Sequence, residues 1–577
     1  MELDKPIIKE TSYNNDGVDD FKLNDSEKEL ILQYPTVYIV NDKKKETFDV
    51  YVGETNNIKN RTYQHLQEDR DDWEKFNASN TAKLIVMGHS HFNKSLTLDI
   101  ENKMRLYMTG VGSVKRLNNR RGNPQGHYYT SNEVDQVFRL LWENLHNLNG
   151  RLFPSRAEVE QSALFKSSPF HQLTDDQIKS KDYLMLKITE AMNRDRTDQL
   201  MIVEGAAGTG KTVLLSSLFF DLLADNAEDD VAVYQHKKVA LLVNHDEQVK
   251  VYKSIANKLG DDKAVIMKPN EFINKYFGSN EQFDAVIVDE GHLLATRNGQ
   301  AFSRDKGKTH LEVIRKLARV TVLVYDPHQI LTTEQYFPKK DFVKLRKDVA
   351  EKGNLLTLKH QMRISAGQQT INWLDDFVFK HHINSIPSDS SYDLQIFDDP
   401  EKMYDAIKYR ANQPESELSR VLATYDWEWK PDGQEYDVAT GDFRQPWNYY
   451  YTKRKDHVAW AENPESINEV GSTFTIQGFD LNYAGVIIGE SVQYRDGKVV
   501  FNPNNSFSGK AKQKPGKGVL EDEDERQSVP FENLNNELNV LLSRGVNGLY
   551  IYAVDEALRE KLLEAFGKNV YNSGEKG

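Results

Sequence analysis

The sequence predicts an α/β protein in which a small mixed α/β module precedes two doubly wound parallel-sheet domains. Three observations carry this. From about residue 170 onward, apolar runs (LMIVEG, VALLVN, AVIVDE, TVLVYD, YAGVIIG, GLYIYAV) alternate with helical segments. Runs that are apolar throughout suit strands buried on both faces of a parallel sheet. The first run leads into the glycine loop EGAAGTGKT and then the helical VLLSSLFFDLL, a strand–loop–helix order. Well upstream, TVYIV and FDVYVG form two short β-runs joined by the polar NDKKKET, the pattern of a hairpin.

A chain of 577 residues is too long for one core and implies about three or four domains. Hydrophobic content of 38% with 28% charged residues describes a globular chain, and no apolar run is long enough for a bilayer span. The opening MELDKPIIKE lacks the charged-then-apolar pattern of a secretory signal. There is no cysteine, which excludes disulfides and thiolate zinc sites and leads us to expect a reducing, cytoplasmic setting. The net charge of −14 is uneven: residues 34–130 hold 15 Lys/Arg against 11 Asp/Glu, and residues 1–33 hold 4 against 9. A locally basic module on an acidic body is compatible with a polyanionic partner.

In chain order, residues 1–33 are expected to be an acidic, weakly structured lead-in. The mixed module spans 34–130, with a hairpin, a helix over Asn56–Glu68 capped by Asn56 or Asn57, a second helix near 98–108, and a basic loop over 115–126. A helical connector occupies 131–165. The first parallel-sheet domain covers 166–350 and the second 351–577, with a long exposed loop or insertion near 509–527.

EGAAGTGKT matches the phosphate-loop pattern through Gly205, Gly210, Lys211 and Thr212, with Gly208 inside it. Glycines let backbone N–H groups turn in around phosphate oxygens, and the helix N-terminus adds favourable partial charge. Lys211 is placed to reach the β/γ-phosphates of ATP, and the Thr212 hydroxyl to bind Mg²⁺. AVIVDEGHLL puts Asp289 and Glu290 at the C-terminal mouth of a buried strand, where such sheets bind ligands. Asp289 suits Mg²⁺, and Glu290 suits polarising the attacking water. Gly291 departs from the common DEAH form and leaves His292 without an assigned role. Gln177, in LTDDQ about 30 residues before the loop, suits hydrogen bonding to adenine.

Further segments follow in order: TVLVYDPHQ with Asp326 and Gln329, LKHQMR with Gln361 and Arg363, GSTFTIQGFD with Thr475, Gln477, Gly478 and Asp480, and NVLLSRG with Arg544. This series resembles the motifs of a superfamily 1 helicase, whose two RecA-like domains sandwich ATP. Over about 160–570 the chain is similar to a bacterial helicase-like ATPase family related to the helicase part of Schlafen proteins. The resemblance implies that Arg363 and Arg544 reach the γ-phosphate from the second domain. It also implies that Gln329 senses that phosphate and that Gly478 and Asp480 belong to the nucleotide site. Trp427, Trp429, Trp447 and Trp460 are read first as core residues and second as stacking surfaces for bases.

The upstream module presents Tyr38 in TVYIV, Tyr51 in VYVG, Arg61 and His65 four residues apart on a helix, Glu101 in a second helix, and then Asn118 and Asn119. Arg61 and His65 share a helix face. Arg61 suits the scissile phosphate, Glu101 suits one Mg²⁺, and a tyrosine hydroxyl suits proton removal from water. Over about 34–125 this order resembles the GIY-YIG nuclease domain, which implies Tyr38 as base, Tyr51 as a positioning group, and one late asparagine in the site. The combined expectation is an Mg²⁺-dependent endonuclease joined to an ATP-driven helicase or translocase. Its partner would be nucleic acid, DNA before RNA, with anti-phage defence as a role that suits the architecture. An oligomer or protein partner is left open. The alternatives are a motor with a non-cleaving binding module, and an ATP-gated nuclease that does not unwind.

Overall fold

The computed structural model describes residues 3–19, 22–68, 70–118, 128–194, 196–205, 208–223, 237–261, 264–296, 309–358, 364–432, 434–449, 460–476, 479–516 and 520–567. Two compact units divide the chain. One comprises Met1–Met185, Thr212–Val239 and Val249–Ile266, the other Leu186–Lys211, Ala240–Gln248 and Met267–Gly577.

The first unit is built on a five-stranded mixed sheet of β1 (Ile7–Ser12), β2 (Thr36–Lys44), β3 (Thr47–Thr55), β4 (Lys83–Gly88) and β5 (Val114–Leu117), in the order β1-β4-β2-β3-β5. All pairs are antiparallel except β3 with β5. Central position explains the texture of β2, which is buried from Thr36 to Asp42 because neighbours flank it on both sides. The hairpin strands run on through the polar stretch expected to connect them, leaving only Lys45 and Glu46 as the turn. The charged end of the ribbon obscures strand character there.

Two other expectations are corrected. The acidic lead-in supplies the edge strand β1 and a helix Asp25–Leu32 with a full Asn24/Glu27 capping box. Its few apolar residues are the ones that pack: Ile31 is fully buried, and Tyr13 lies 6.0 Å from the Trp73 ring. The basic segment expected as loop begins as β5, while 119–127 lie outside the described residues.

The second unit holds two parallel sheets. In one, β6 (Gln199–Gly205), β7 (Val239–Leu242), β8 (Val265–Met267), β9 (Phe283–Val288), β10 (Ala318–Tyr325) and β11 (Leu355–Leu358) take the order β11-β6-β10-β9-β7-β8. The other contains β12 (Asp393–Ile396), β13 (Arg420–Ala423), β16 (Val470–Gly471), β17 (Leu481–Ile488) and β20 (Gly545–Ala553), ordered β12-β20-β17-β13-β16. Two hairpins, β14 (Asp437–Thr440) with β15 (Phe443–Pro446) and β18 (Val492–Arg495) with β19 (Lys498–Phe501), stand apart. These are the crossover topologies of doubly wound RecA-like domains.

The described residues of 509–527 are not a free loop. Gly509–Lys512 is helical, Ala511 and Leu520 are buried, and a long helix begins at Glu523. The Lys510 carbonyl accepts from the Thr333 N–H at 3.2 Å. A segment held by backbone and side-chain hydrogen bonds needs no apolar periodicity, which explains its loop-like sequence. Trp447 and Trp460 are buried core, and Trp427 and Trp429 pack against a core cluster. No helix among the described residues is long and apolar enough to cross a membrane.

Candidate nuclease and nucleotide sites

In the first unit Tyr38 lies opposite Gly53 and Val40 opposite Tyr51, so both phenols stand on one face with rings 6.0 Å apart. Gly53 makes this possible: a Cβ there would sit 2.6 Å from the Tyr38 hydroxyl. The helix Ile58–Leu66, capped by Asn57, presents Arg61 and His65 to the tyrosines. The Tyr38 hydroxyl lies 2.8 Å from His65 Nε2, and His65 Nδ1 lies 3.0 Å from the Glu68 carboxylate. Trp73 stacks on His65 at 3.7 Å between centroids.

The electrostatics follow from this packing. Burial lowers His65 to about 4, with Glu68 opposing, so the ring is neutral near pH 7. Both hydrogen bonds are met when Nδ1–H donates to Glu68 and Nε2 accepts from Tyr38. Burial pushes Tyr38 well above the usual phenol range, and the charge of Tyr51 adds to this while Arg61 opposes it. Burial likewise raises Tyr51, against Arg61. Burial alone would lower Arg61, but attraction and hydrogen bonding to the two phenols leave it raised. Arg61 is therefore the main charge opposing burial at both phenols, with Arg70 adding to it at Tyr51.

Glu101 is buried on the helix Lys94–Gly110, and its charge acts on Tyr51 and on Arg105 one turn away. No group of three or more acidic, His or Cys residues able to hold a metal exists among the described residues. A single carboxylate fits an ion such as Mg²⁺, which keeps waters and takes phosphate oxygens rather than an all-protein cage. The Asn118 N–H donates to the Val50 carbonyl at 2.8 Å, bringing Asn118 alongside the strand of Tyr51. Asn119 lies outside the described residues. Sequence reasoning missed Glu68 and Trp73. Glu68 sits three residues after His65, but at a helix end an acid looks merely solvated.

In the second unit the ends of β6, β9 and β10 converge. Lys211 Nζ donates to the Gly205 carbonyl at 2.5 Å and lies 3.5 Å from Asp326 Oδ2. Gly208 and Gly210 have φ of 83° and 73°, the left-handed backbone the loop needs. Thr212 follows in the helix Lys211–Leu223. Asp289 is buried at the end of β9 and its Oδ1 accepts the Glu290 N–H at 2.9 Å. Glu290 adopts φ 51° and ψ 49°, and its carboxylate lies 3.5 Å from His292 Nε2. Burial would raise Glu290, but the positive fields of His292, Lys211, His245 and Arg544 leave it lowered and ionised. Gln329 donates to Asp326 at 2.7 Å, and burial of Asp326 is outweighed by Lys211, His292 and Gln329.

Arg544 is buried at the end of the helix Glu523–Leu542, donating to the carbonyls of Val540 and Phe479 and lying 4.0 Å from Asp480. Arg544 and Glu290 belong to the same unit, and the Arg544 charge acts on Glu290. Gln361, Arg363, Gln477 and Gly478 lie outside the described residues. Gln177 is buried in the other unit, where its side chain accepts from the Thr174 N–H at 2.9 Å. Gly291 has a physical reason the motif comparison lacked: a Cβ would lie 2.3 Å from Leu323 Cδ1 and 2.6 Å from the Val324 carbonyl oxygen. His292 and His245 join the site unpredicted, their sequence context being generic.

Residues 198–555 match the Schlafen group 3 DNA/RNA helicase domain, and residues 34–105 match the GIY-YIG catalytic domain. The uncharacterized protein YPL245W of Saccharomyces cerevisiae (strain ATCC 204508 / S288c) is 34% identical over 423 residues, covering 68% of this chain and 90% of that relative. Among solved structures, the Pif1 helicase from Candida albicans aligns at 13% identity and a TM-score of 0.27, covering 68% of this chain and 97% of that one. The two matched domains make the chain a hydrolase of nucleic acid and of nucleotide. It belongs to the Schlafen group 3 helicase family and carries a GIY-YIG nuclease domain ahead of the helicase domain.

Proposed function

We propose that this chain is a Mg²⁺-dependent endonuclease coupled to a superfamily 1-type ATPase that moves along DNA. The observation that carries the nuclease half is the Tyr38–His65–Glu68 chain of hydrogen bonds beside Arg61 and Tyr51. Neutral His65 accepts the Tyr38 hydrogen bond and takes that proton only as Tyr38 gains one from water, with Glu68 steadying the ring and Arg61 offsetting the charge, so no free phenolate has to form first. Tyr38 thereby removes a proton from the attacking water while Arg61 faces the scissile phosphate. The divalent ion held by Glu101 would supply Lewis-acid stabilisation of the phosphate and leaving oxygen. Tyr51 positions, and Asn118, whose N–H donates to the Val50 carbonyl beside Tyr51, serves as the late asparagine.

In the motor half, ionised Glu290 orients water toward the γ-phosphate, and Lys211 and Arg544 offset the charge that develops. Thr212 and Asp289 serve the nucleotide's Mg²⁺, Gln329 and Asp480 couple to it, and Gln177 recognises adenine. Arg363 and Gly478 keep the roles the motif series implies, and Asn119 is the alternative to Asn118 as the late asparagine of the nuclease. A cytoplasmic role in anti-phage defence rests on the pairing of the two activities in one chain.

The test is cleavage of plasmid and single-stranded DNA and of RNA with Mg²⁺, with and without ATP, by the parent, Glu101→Ala and Lys211→Ala. Cleavage by the parent, none by Glu101→Ala, and loss of only the ATP-dependent part in Lys211→Ala are expected. ATP hydrolysis without cleavage of any nucleic acid would overturn the nuclease half.

A further inference from the structure

The C-terminal ends of two helices from different modules lie together in the first unit. One is Lys94–Gly110, which carries Glu101, and the other is Asp246–Leu259, from the part matched to the helicase family. Each helix C-terminus carries unsatisfied carbonyls and partial negative charge, so two such ends repel unless a cation stands between them. Here each module supplies a cation to the other's helix. Lys258 Nζ donates to the carbonyls of Thr109 at 2.9 Å and Val111 at 2.6 Å. Arg116 Nη1 donates in the opposite direction to the Asn257 carbonyl at 3.0 Å.

Lys258 is only 4% exposed, and among the described residues it forms no ion pair with an acid. Burial pushes its ammonium down to about 7, so its place is costly as well as specific. Of the two carbonyls it holds, that of Thr109 lies eight residues, about 12 Å, beyond Glu101 on the helix Lys94–Gly110, and that of Val111 belongs to its C-cap.

We propose that Lys258 is a positioning residue of the nuclease: it fixes the far end of the Glu101 helix, so the metal-binding carboxylate is in register only while the helicase-matched helix is docked. This rests on the nuclease reading of Glu101. The nuclease would then be conditional on the domain that follows it, without any lid or separate regulator.

The full-length parent, Lys258→Met and Lys258→Arg would be compared by amide hydrogen exchange over Met104–Val111, by Mn²⁺-dependent cleavage, and by ATP hydrolysis. Methionine fills the space without donors, and arginine restores them. For Lys258→Met, faster exchange in that segment, cleavage reduced about tenfold or more, and a higher Mn²⁺ midpoint are expected. ATP hydrolysis should stay within about twofold, and Lys258→Arg should move all three readouts back toward the parent. Unchanged exchange in Lys258→Met would overturn the proposal, as would cleavage and ATP hydrolysis falling in equal proportion. An inactive parent would instead overturn the nuclease reading, and the positioning role with it.

Discussion

The Tyr38 hydroxyl lies 2.8 Å from one nitrogen of His65, and the other nitrogen of that ring lies 3.0 Å from the Glu68 carboxylate. A phenol whose proton burial holds tightly thereby gains a neutral acceptor that is itself oriented by an acid. Tyr38→Phe and His65→Ala should each lower cleavage by about 10²–10⁴-fold, with ATP hydrolysis preserved. Glu68→Gln should fall between them and the parent. Single-turnover cleavage measures this, and a fully active Tyr38→Phe would exclude Tyr38 as the base.

Acidity gives a second check. Burial lowers His65 to about 4, so the ring remains an acceptor well below the ordinary histidine value of about 6.5. Because the unfolded chain takes that proton first, stability is present above about 6.5 and is lost as pH falls toward 4. Cleavage should therefore survive at pH 5.5 and fail close to 4. An acid limb centred at 6.5 would show that His65 is not held neutral by its burial.

Much of both sites was legible because glycine loops and strand-end acids carry their chemistry in fixed spacing. Arg61 and His65 share a face by helical period, and Lys211, Asp289 and Glu290 mark strand ends. What was not legible depends on packing between distant segments. Glu68 gains meaning only when Tyr38 arrives from a strand 27 residues before His65. His292 and His245 matter because burial places their fields on Glu290. The lead-in hid its strand and helix because the apolar residues that pack, Ile7, Tyr13, Leu23, Ile31 and Leu32, are diluted by acids.

Gly291 offers a test of close packing in the motor. Replacing it by alanine restores the common DEAH spelling, yet the added carbon would press on the Val324 carbonyl and Leu323. Backbone cannot give way as a flexible side chain does, so Gly291→Ala should cost about 1–3 kcal/mol and displace Glu290. A lower thermal midpoint together with slower ATP hydrolysis is expected. A variant as stable and active as the parent would mean that β9 and β10 separate easily.

Removing Arg544 tests the charge network directly. Its field reaches Glu290, His292 and His245, and its guanidinium is fixed by the Val540 and Phe479 carbonyls. Arg544→Ala should slow ATP hydrolysis by about 10³-fold or more, the usual scale for a cation acting on a transferring phosphoryl group. Nucleotide binding should fall less, which equilibrium binding of a labelled ATP analogue would report. Equal losses in binding and turnover would make Arg544 a binding residue only.

The second parallel-sheet domain contains an acid pair whose titration should be visible in stability. Burial, with the charge of Asp426 added, raises Glu537 to about 8, against a hydrogen bond from the Tyr425 N–H at 3.0 Å. Burial also raises Asp426 to about 6, against donors from Ser491 and Thr424. The folded state thus holds protons that the unfolded chain releases near 4.5 and 3.8. Stability from these groups is complete below the unfolded values and is lost as pH rises through about 6 and 8, at no more than about 1.4 kcal/mol per pH unit for each proton. Glu537→Gln keeps an acceptor for Tyr425 and carries no charge to desolvate. Its thermal midpoint should match the parent near pH 4.5 and exceed it increasingly up to pH 8, leaving only the smaller Asp426 dependence. Parallel curves for the two proteins across that window would show that Glu537 is already ionised in the fold.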